Sequence, residues 1–547
     1  MGVRRSALVV TAVVAVVLAG CSSPDPAPAA PPVDEPVRGG TLVVAIDSDP
    51  GNLNPATTTS GAVHTASELM FNGLVGLTPE LEPVPELAES WEVLEDGALY
   101  RFTLRDGVTW HDGQPFSSAD VKYSFEEVLL KLHSRTQASV GSAIESITAP
   151  DPLTVEFRFT EPYAPLLQQL DVTEAPIVPR HIYEGTDPAT NPANQAPVGT
   201  GPFRFVSYTP GAEIRMARNA EYFEPDLPHL DEVVMRVLPE DSSQVNALRA
   251  GEVDWLFGVP GAERAALEAD PAFETLQTSI NPGGSNCIMT VSFNLDRPVF
   301  QDVRVRRAIS FALDRQQFVD RVLFGEGRVA DAPISSGIPF AHVEDLENYP
   351  FHDPAQAERL LDEAGWTRPA AGGTRAANGV AGVPDGTPLA IDFLAFPSFN
   401  QYAELYRAQL AEVGIDVTLQ PLDPPVFAQT VFAQRDFDTN IISYCNGTDP
   451  EIGVKRQHLS TNISATPFSN SSAYRNPEVD ALFEQAAGTV DQDERSELYR
   501  RIQQIAVDDA PYAWVVETTS TRIFRSGCQQ FGPSGHFAKT AYCTPPQ

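Results

Sequence analysis

The chain has 547 residues, more than one compact core usually holds, which predicts two or three domains. A hydrophobic fraction of 42%, with 29 Phe, excludes wholesale disorder. The formal net charge of −36, from 73 acidic against 37 basic residues, argues against a nucleic-acid partner and against adsorption to anionic lipid, since both need a basic face.

Arg4-Arg5 precede an unbroken small-and-apolar run from Ala7 to Gly20, so residues 1–20 read as a secretory signal. That run falls short of the roughly 20 residues needed to span a bilayer. Leu18-Ala19-Gly20-Cys21 resembles a bacterial lipoprotein lipobox, in which Cys21 is diacylated on sulfur and becomes the mature N-terminus. Two acyl chains give stable anchoring where one is marginal. The alternative is a soluble secreted protein with an incidental Cys21. Either way the protein is expected to work outside the cytoplasmic membrane. Residues 21–38 form a tether, with a Pro/Ala spacer from Ser22 to Pro36 that has little to bury.

Order is expected from Gly39-Gly40. Thr41-Leu-Val-Val-Ala-Ile46 is a short apolar run rich in β-branched residues, the pattern of a fully buried strand. The polar turn-formers from Asp47 to Pro55 follow it, and ligand sites in open α/β sheets sit at such strand ends. Asp47, Asn52 and Asn54 are therefore candidate ligand contacts. Tyr100 to Arg105 and Leu153 to Phe159 alternate apolar and charged residues, which predicts half-exposed antiparallel strands. Farther on, Asp353-Pro354 reads as an N-cap and first helical residue, Leu360-Leu361 as an apolar stripe, and Gly365 as the stop. A strand from Leu389 to Phe396, a helix from Gln401 to Val413 stopped by Gly414, and a strand from Ile415 to Leu419 make a βαβ unit and a parallel sheet. The fold class is thus α/β with an antiparallel region.

Besides Cys21 the chain carries Cys287, Cys445, Cys528 and Cys543, an even set that leaves several pairings open in an oxidising compartment. Cys528 and Cys543 bracket a short loop and are expected to pair, at about 3 kcal/mol for a loop of that size. Cys287 would then join Cys445; four free buried thiols are the alternative.

Catalytic signatures are missing. The sequence has no Gly-x-Ser-x-Gly elbow, no His-Glu-x-x-His pair and no Gly-x4-Gly-Lys-Ser/Thr loop. Gly199-Thr-Gly201 is followed by Pro202 with no Lys nearby, so it reads as a turn rather than a phosphate cradle. The nine His are scattered without ligand-like spacing, and His111-Asp112 sits in a Trp-His-Asp-Gly turn. The many carboxylates single out no hydrolytic pair. No cofactor, no resident metal and no catalysis are expected.

Three stretches carry a specific resemblance: Leu87-Ala-Glu-Ser-Trp91, then Tyr100 through His111-Asp-Gly-Gln-Pro-Phe116, then Ala119-Asp-Val-Lys-Tyr-Ser124. Together they resemble the signature of family 5 extracellular solute-binding proteins, the peptide-binding class of ABC importers. Pro197-Val-Gly-Thr-Gly-Pro-Phe203, Ala250-Gly-Glu-Val-Asp254, Asp302 to Arg315, Glu363-Ala-Gly-Trp366, Val413-Gly-Ile-Asp-Val417 and Arg475-Asn-Pro-Glu-Val-Asp480 extend it over about residues 39 to 525. The resemblance implies a two-lobed periplasmic-binding-protein clamp, type II and of the large class, with an inserted α+β domain. Lobe I would combine 39–76, 197–285 and 516–547, the insert 77–196, and lobe II 286–515, with hinges near Gly283-Gly284 and Thr518. It further implies a monomer that captures di- or oligopeptides and passes them to a membrane permease powered by cytosolic ATPases. A disulfide like Cys287–Cys445 is common in peptide-binding relatives.

Ser443 to Arg456 resembles the ligand-binding stretch of those relatives, where an aromatic flanks the Cys and an Asp two residues on pairs with the peptide amine. Tyr444 and Cys445 match, but Gly447 occupies the Asp position and Asp449 is the nearest carboxylate. The expectation is that Asp449 anchors a cationic ligand group with Tyr444 stacked beside it; a loop-capping Asp449 before Pro450 is the alternative. Asn446 and Arg456 complete the candidate set; Arg456, with Lys455, offers a partner for a ligand carboxylate, and a solvated helix start is the favoured alternative for both. Tyr512 and Trp514 are read as core residues by default. Runner-up ligands are opines, oligosaccharides and metal chelates, and from another class the chain would be a surface hydrolase or receptor.

Overall fold

The computed structural model describes residues 36–544, apart from 142, 260, 279–285, 371 and 533–535. The signal segment, Cys21, nearly all of the tether and the expected Gly283-Gly284 hinge lie outside the described residues. Among the described residues no helix is long and apolar enough to cross a membrane.

The first sheet is built around β1, Thr41–Ile46. Its continuous apolar run is explained by burial on both faces. Leu42, Val44 and Ile46 join one core cluster, while Ala45 packs with Val245 and Leu248 of the helix Asp241–Ala250 on the other. Four further strands precede the rest of this sheet and form one of their own: β2 (Ala88–Leu94), β3 (Leu99–Leu104), β4 (Ile144–Asp151) and β5 (Thr154–Phe159), in antiparallel order β2-β3-β5-β4. The predicted alternation is observed: Tyr100, Phe102 and Leu104 point inward with Val155, Phe157 and Phe159, and the Phe102 and Phe157 rings meet edge to face at 5.7 Å. Ser117 opens the following helix, Ser118–Tyr123, with a capping box closed by Asp120. The inward face of this four-stranded sheet joins the same core cluster as Leu42 and Val44, so the insert shares a core with the first sheet.

The first sheet continues with β6 (Phe203–Thr209), β7 (Glu213–Arg218), β8 (Glu232–Val237), β9 (Trp255–Leu256) and β10 (Phe273–Thr278). The second sheet contains β11 (Cys287–Phe293), β12 (Arg328–Val329), β13 (Ala390–Ala395), β14 (Asp416–Pro421), β15 (Thr439–Cys445) and β16 (Tyr512–Thr518), in the order β12-β16-β11-β15-β13-β14. β13, the helix Asn400–Glu412 and β14 form the predicted βαβ unit, with Ile391 beside Val417 in a parallel pair. Asp353 caps the helix Pro354–Glu363 by accepting from Gln356 N at 2.9 Å.

A last strand, β17 (Ser520–Arg525), returns to the first sheet, whose order is β10-β17-β9-β1-β8-β7-β6. The chain therefore passes between the sheets twice, from β10 to β11 and from β16 to β17. Val516, Glu517 and Thr518 pair with β11, so the second sheet holds the chain beyond the expected boundary at 516. The β-ladder, which pairs residues on their own backbone geometry, sets the passage at Thr519.

Both expected disulfides are present. Cys287–Cys445 joins the adjacent strands β11 and β15, and Cys528–Cys543 closes the C-terminal loop. Phe531 and Phe537 of that loop pack on Trp255, which attaches the C-terminus to the first sheet.

Candidate ligand-binding site

The end of β1 opens into a cavity of ≈ 430 Å³ lined by Ile46, Asp47, Ser48, Gln244, Phe257 and Ser520. Asp47 is exposed there and accepts from Ser48 Oγ at 2.8 Å. Its neighbours are used differently. Asn52 closes a local turn by accepting from Asn54 N at 2.8 Å. Asn54 is fully buried, donating to Tyr183 Oη at 3.1 Å and to Asn194 Oδ1 at 2.9 Å while capping the short helix Pro55–Thr57. Of the three candidates on this loop, Asp47 lines this cavity.

The turn readings hold for the two motifs nearby. His111 Nδ1 accepts from Gly199 N at 3.2 Å and Nε2 donates to the Gly201 carbonyl at 3.0 Å. Burial then pushes the ring down to about 4, so it is neutral and structural. A Cβ on Gly199 would stand 1.7 Å from the Met70 carbonyl oxygen, so close backbone approach accounts for that glycine.

On the second sheet's side the expected anchor is corrected. Asp449 is fully buried, and both its oxygens are taken by Arg495, Nη1 to Oδ2 and Nη2 to Oδ1, each at 2.7 Å. Its Oδ1 also accepts from Glu451 N at 2.9 Å, capping the turn Pro450–Gly453. Burial opposes the charge on Arg495, but Asp449 beside it outweighs that and raises its pKa. Around the pair, Tyr499 Oη donates to Glu451 at 3.3 Å and Lys455 bonds Glu451 at 2.6 Å. A buried carboxylate needs a fixed countercharge, and the helix Gln492–Asp509 supplies one from within the chain. Tyr444 is likewise a core residue: its hydroxyl sits 2.8 Å from Ser471 Oγ, and its ring packs against Tyr512. Tyr512 and Trp514 belong to the same cluster.

Asn446 is buried and Arg456 half-buried, with Arg135 and Glu174 in electrostatic reach of the guanidinium. Asn446 accepts from Ser335 N at 2.8 Å and its amide nitrogen has no hydrogen-bond partner among the described residues. Arg456 donates to the Cys445 carbonyl at 3.2 Å, and its buried Nε is without a hydrogen-bond acceptor there. Burial chiefly lowers the Arg456 pKa, with Tyr444, Arg135 and Glu174 in electrostatic reach. Beside them the two halves touch, Thr448 Oγ1 donating to the Gln168 carbonyl at 2.8 Å.

Sequence reasoning missed the groups on the opposite wall. Arg135 pairs with Glu174 at 3.3 Å, and Glu174 N donates to Asp171 Oδ1 at 3.0 Å. Burial first, and Glu174 second, push Asp171 up to about 8, so it is protonated at neutral pH and can donate. Glu68 is buried against His64 at 2.9 Å. The acidic residues of Asp171-Val-Thr-Glu174, close after Leu166-Leu167, were the available signal, but only the fold brings Glu174 within electrostatic reach of Arg456. The arrangement offers cationic and anionic groups side by side in a low-dielectric interior, which suits a solute bearing both charges.

The family model described as bacterial extracellular solute-binding proteins, family 5 middle, matches residues 82–463. The chain is 30% identical over 485 residues to Protein XP55 of Streptomyces lividans, covering 87% of this chain and 83% of that one. It is 27% identical over 529 residues to the oligopeptide-binding protein AppA of Bacillus subtilis, covering 94% and 93%. Among solved structures, NikA from Brucella suis in complex with Fe(III)-EDTA is similar at a TM-score of 0.79 and 25% identity, over 91% of this chain and 98% of that one. The chain belongs to family 5 of the bacterial extracellular solute-binding proteins. Its fold is the two-lobed type II binding-protein clamp, with the antiparallel β2–β5 region as the insert.

Proposed function

We propose that this chain is the substrate-binding component of an ABC importer, capturing short peptides outside the cytoplasmic membrane and delivering them to a permease. The observation that carries this is the interior where Arg456 lies in electrostatic reach of the Arg135–Glu174 pair, beside the Thr448–Gln168 contact. A zwitterionic ligand fits it, its carboxylate on Arg456 and its amine on Glu174. Asp47 supplies a further polar contact at the end of β1. In this reading lobe I comprises 39–76, 197–285 and 519–547, the insert 77–196, and lobe II 286–518. The two passages between the sheets act as the hinge, and ligand shifts an open–closed equilibrium. Cys21 carries the lipid, and residues 22–38 tether a monomer to the cell membrane. The protein catalyses nothing.

One observation favours the runner-up ligands. Gly447 stands at the position of the amine-binding Asp, and Asp449 is committed to Arg495. A ligand without a free amine there, such as an opine, an oligosaccharide or a metal chelate, would need neither. Calorimetric titration with a tripeptide, its N-acetylated form and its C-terminal amide separates the two. The peptide reading predicts that both modifications weaken binding, the amide by about tenfold or more, and that Arg456→Gln removes the amide's disadvantage. Absence of peptide binding, with saturable binding of an opine or chelate, would move the ligand to the second class.

A further inference from the structure

Asp331, His342 and Glu517 lie outside the ligand-binding interior, yet one donor atom from each falls within 4.8 Å of the other two. Glu517 is far in sequence from Asp331 and His342, and the site holds a single His, which is why the spacing of histidines gave no sign of it. His342 Nδ1 donates to the Ile334 carbonyl at 2.8 Å, which fixes the ring and leaves the Nε2 lone pair pointing away from that bond. The His342 side chain is only 7% exposed, and Nε2 points at Asp331 Oδ1, 3.4 Å away. Neither of those buried atoms has a hydrogen-bond partner among the described residues. Orphaned buried polar atoms are costly and call for an explanation. Asp331 Oδ2 is already bonded to Arg328, so the aspartate is oriented with Oδ1 free. Glu517 is buried and accepts from the hydroxyl of Ser335 and the amide and hydroxyl of Ser336, the amide reaching Oε1 at 3.1 Å and the two hydroxyls Oε2 at 3.3 and 2.5 Å. A carboxylate with those bonds retains lone pairs for a cation.

We infer that Asp331, His342 and Glu517 form a binding site for a divalent first-row cation of the Zn²⁺ type. One imidazole and two carboxylates are a donor set that such ions accept, with further positions left to solvent. Two ligand atoms on a tetrahedral Zn²⁺, with bonds of about 2.0–2.1 Å, stand about 3.3 Å apart, close to the observed Nε2–Oδ1 separation. Glu517 completes the set by a shift on the order of 1 Å. A cavity of ≈ 400 Å³ lined by Gln316, Arg328, Asp331 and Glu344 gives the ion a path inward. Bound there, the ion ties the 331–342 loop to β16 just before the passage at Thr519, and the same loop donates Ser335 N to Asn446 in the ligand interior. The site therefore braces one wall of the clamp without touching the ligand.

The test is titration of the EDTA-treated, desalted protein with CoCl₂ in physiological salt, followed by competition with ZnCl₂. Calorimetry gives stoichiometry, and the visible Co²⁺ bands report an N/O donor set. One saturable equivalent is expected, displaced by Zn²⁺ and weakened about tenfold or more in both His342→Gln and Asp331→Asn. Unfolding curves recorded without metal establish that the variants fold. If either variant does not fold, the wild-type readout decides: Zn²⁺ must raise Tm at one equivalent and EDTA must reverse it. No saturable binding, or unchanged affinity in variants that fold, would overturn the site and leave a structural contact with Asp331 as the role of His342.

Discussion

At the scale of single residues, the Asp449–Arg495 pair separates a structural charge from a ligand-binding one. Removing one member strands the other in a dry interior, so Asp449→Asn is expected to cost about 3–5 kcal/mol in denaturant unfolding. Ligand affinity of the folded fraction should stay within about twofold, since the cost falls on folding rather than on binding. A loss of affinity with intact stability would return Asp449 to the role the sequence suggested for it. Asp171 gives a second residue-scale prediction. Burial holds its folded pKa at about 8, above the ordinary carboxylate value of 3.8, so the native state binds the proton more tightly than the unfolded chain. Its contribution is present at low pH and is lost as pH rises through that window. Asp171→Asn, which keeps a donor in place, should flatten the fall in Tm between those values; an unchanged slope would assign it to other groups.

Among the elements, those that could be read from sequence are the ones whose pattern depends on their own faces. β1 announces its double burial by a continuous apolar run, and β3 and β5 announce one wet face by alternation. The helix Pro354–Glu363 was bounded by its own cap and glycine. The Asp449 carboxylate was visible, but its partner lies 46 residues away on another helix, and no local rule joins them. Arg135, Asp171 and Glu174 were hidden for the same reason. Gly199 was legible as a turn but not as a contact. Its absent Cβ lets the backbone pass the Met70 carbonyl, so Gly199→Ala should destabilise the protein by more than about 2 kcal/mol in urea unfolding. A neutral effect would mean the loop can move away. Cys287–Cys445 spans 158 residues of sequence between neighbouring strands. Replacing both with Ser should cost roughly 5 kcal/mol by loss of loop closure alone. Thermal unfolding of the double variant checks it, and an unchanged Tm would contradict it.

For the whole molecule, the two passages between the sheets and the contacts across them define a clamp in its approached form. Leu81 from the first half is buried in a cluster with Ile334, Tyr474 and Phe483 of the second. Arg264 of the helix Gly261–Glu268 pairs with Glu326 at 3.2 Å. Thr448 reaches Gln168 beside Arg456, so that hydrogen bond is made only when the halves meet. Thr448→Val should therefore weaken ligand affinity by about fivefold, the worth of one ordinary hydrogen bond, and enlarge the liganded radius of gyration in solution scattering. Unchanged affinity and radius would show that closure does not use this contact.

Capture of a solute between two lobes is tested most directly by native mass spectrometry of residues 22–547 purified without denaturation. The predicted result is a protein carrying a ladder of bound masses that fragment as short peptides, released when Arg456 is replaced by Gln. A single non-peptide mass bound with equal strength to wild type and to that variant would contradict the proposed recognition by Arg456 and the peptide ligand with it.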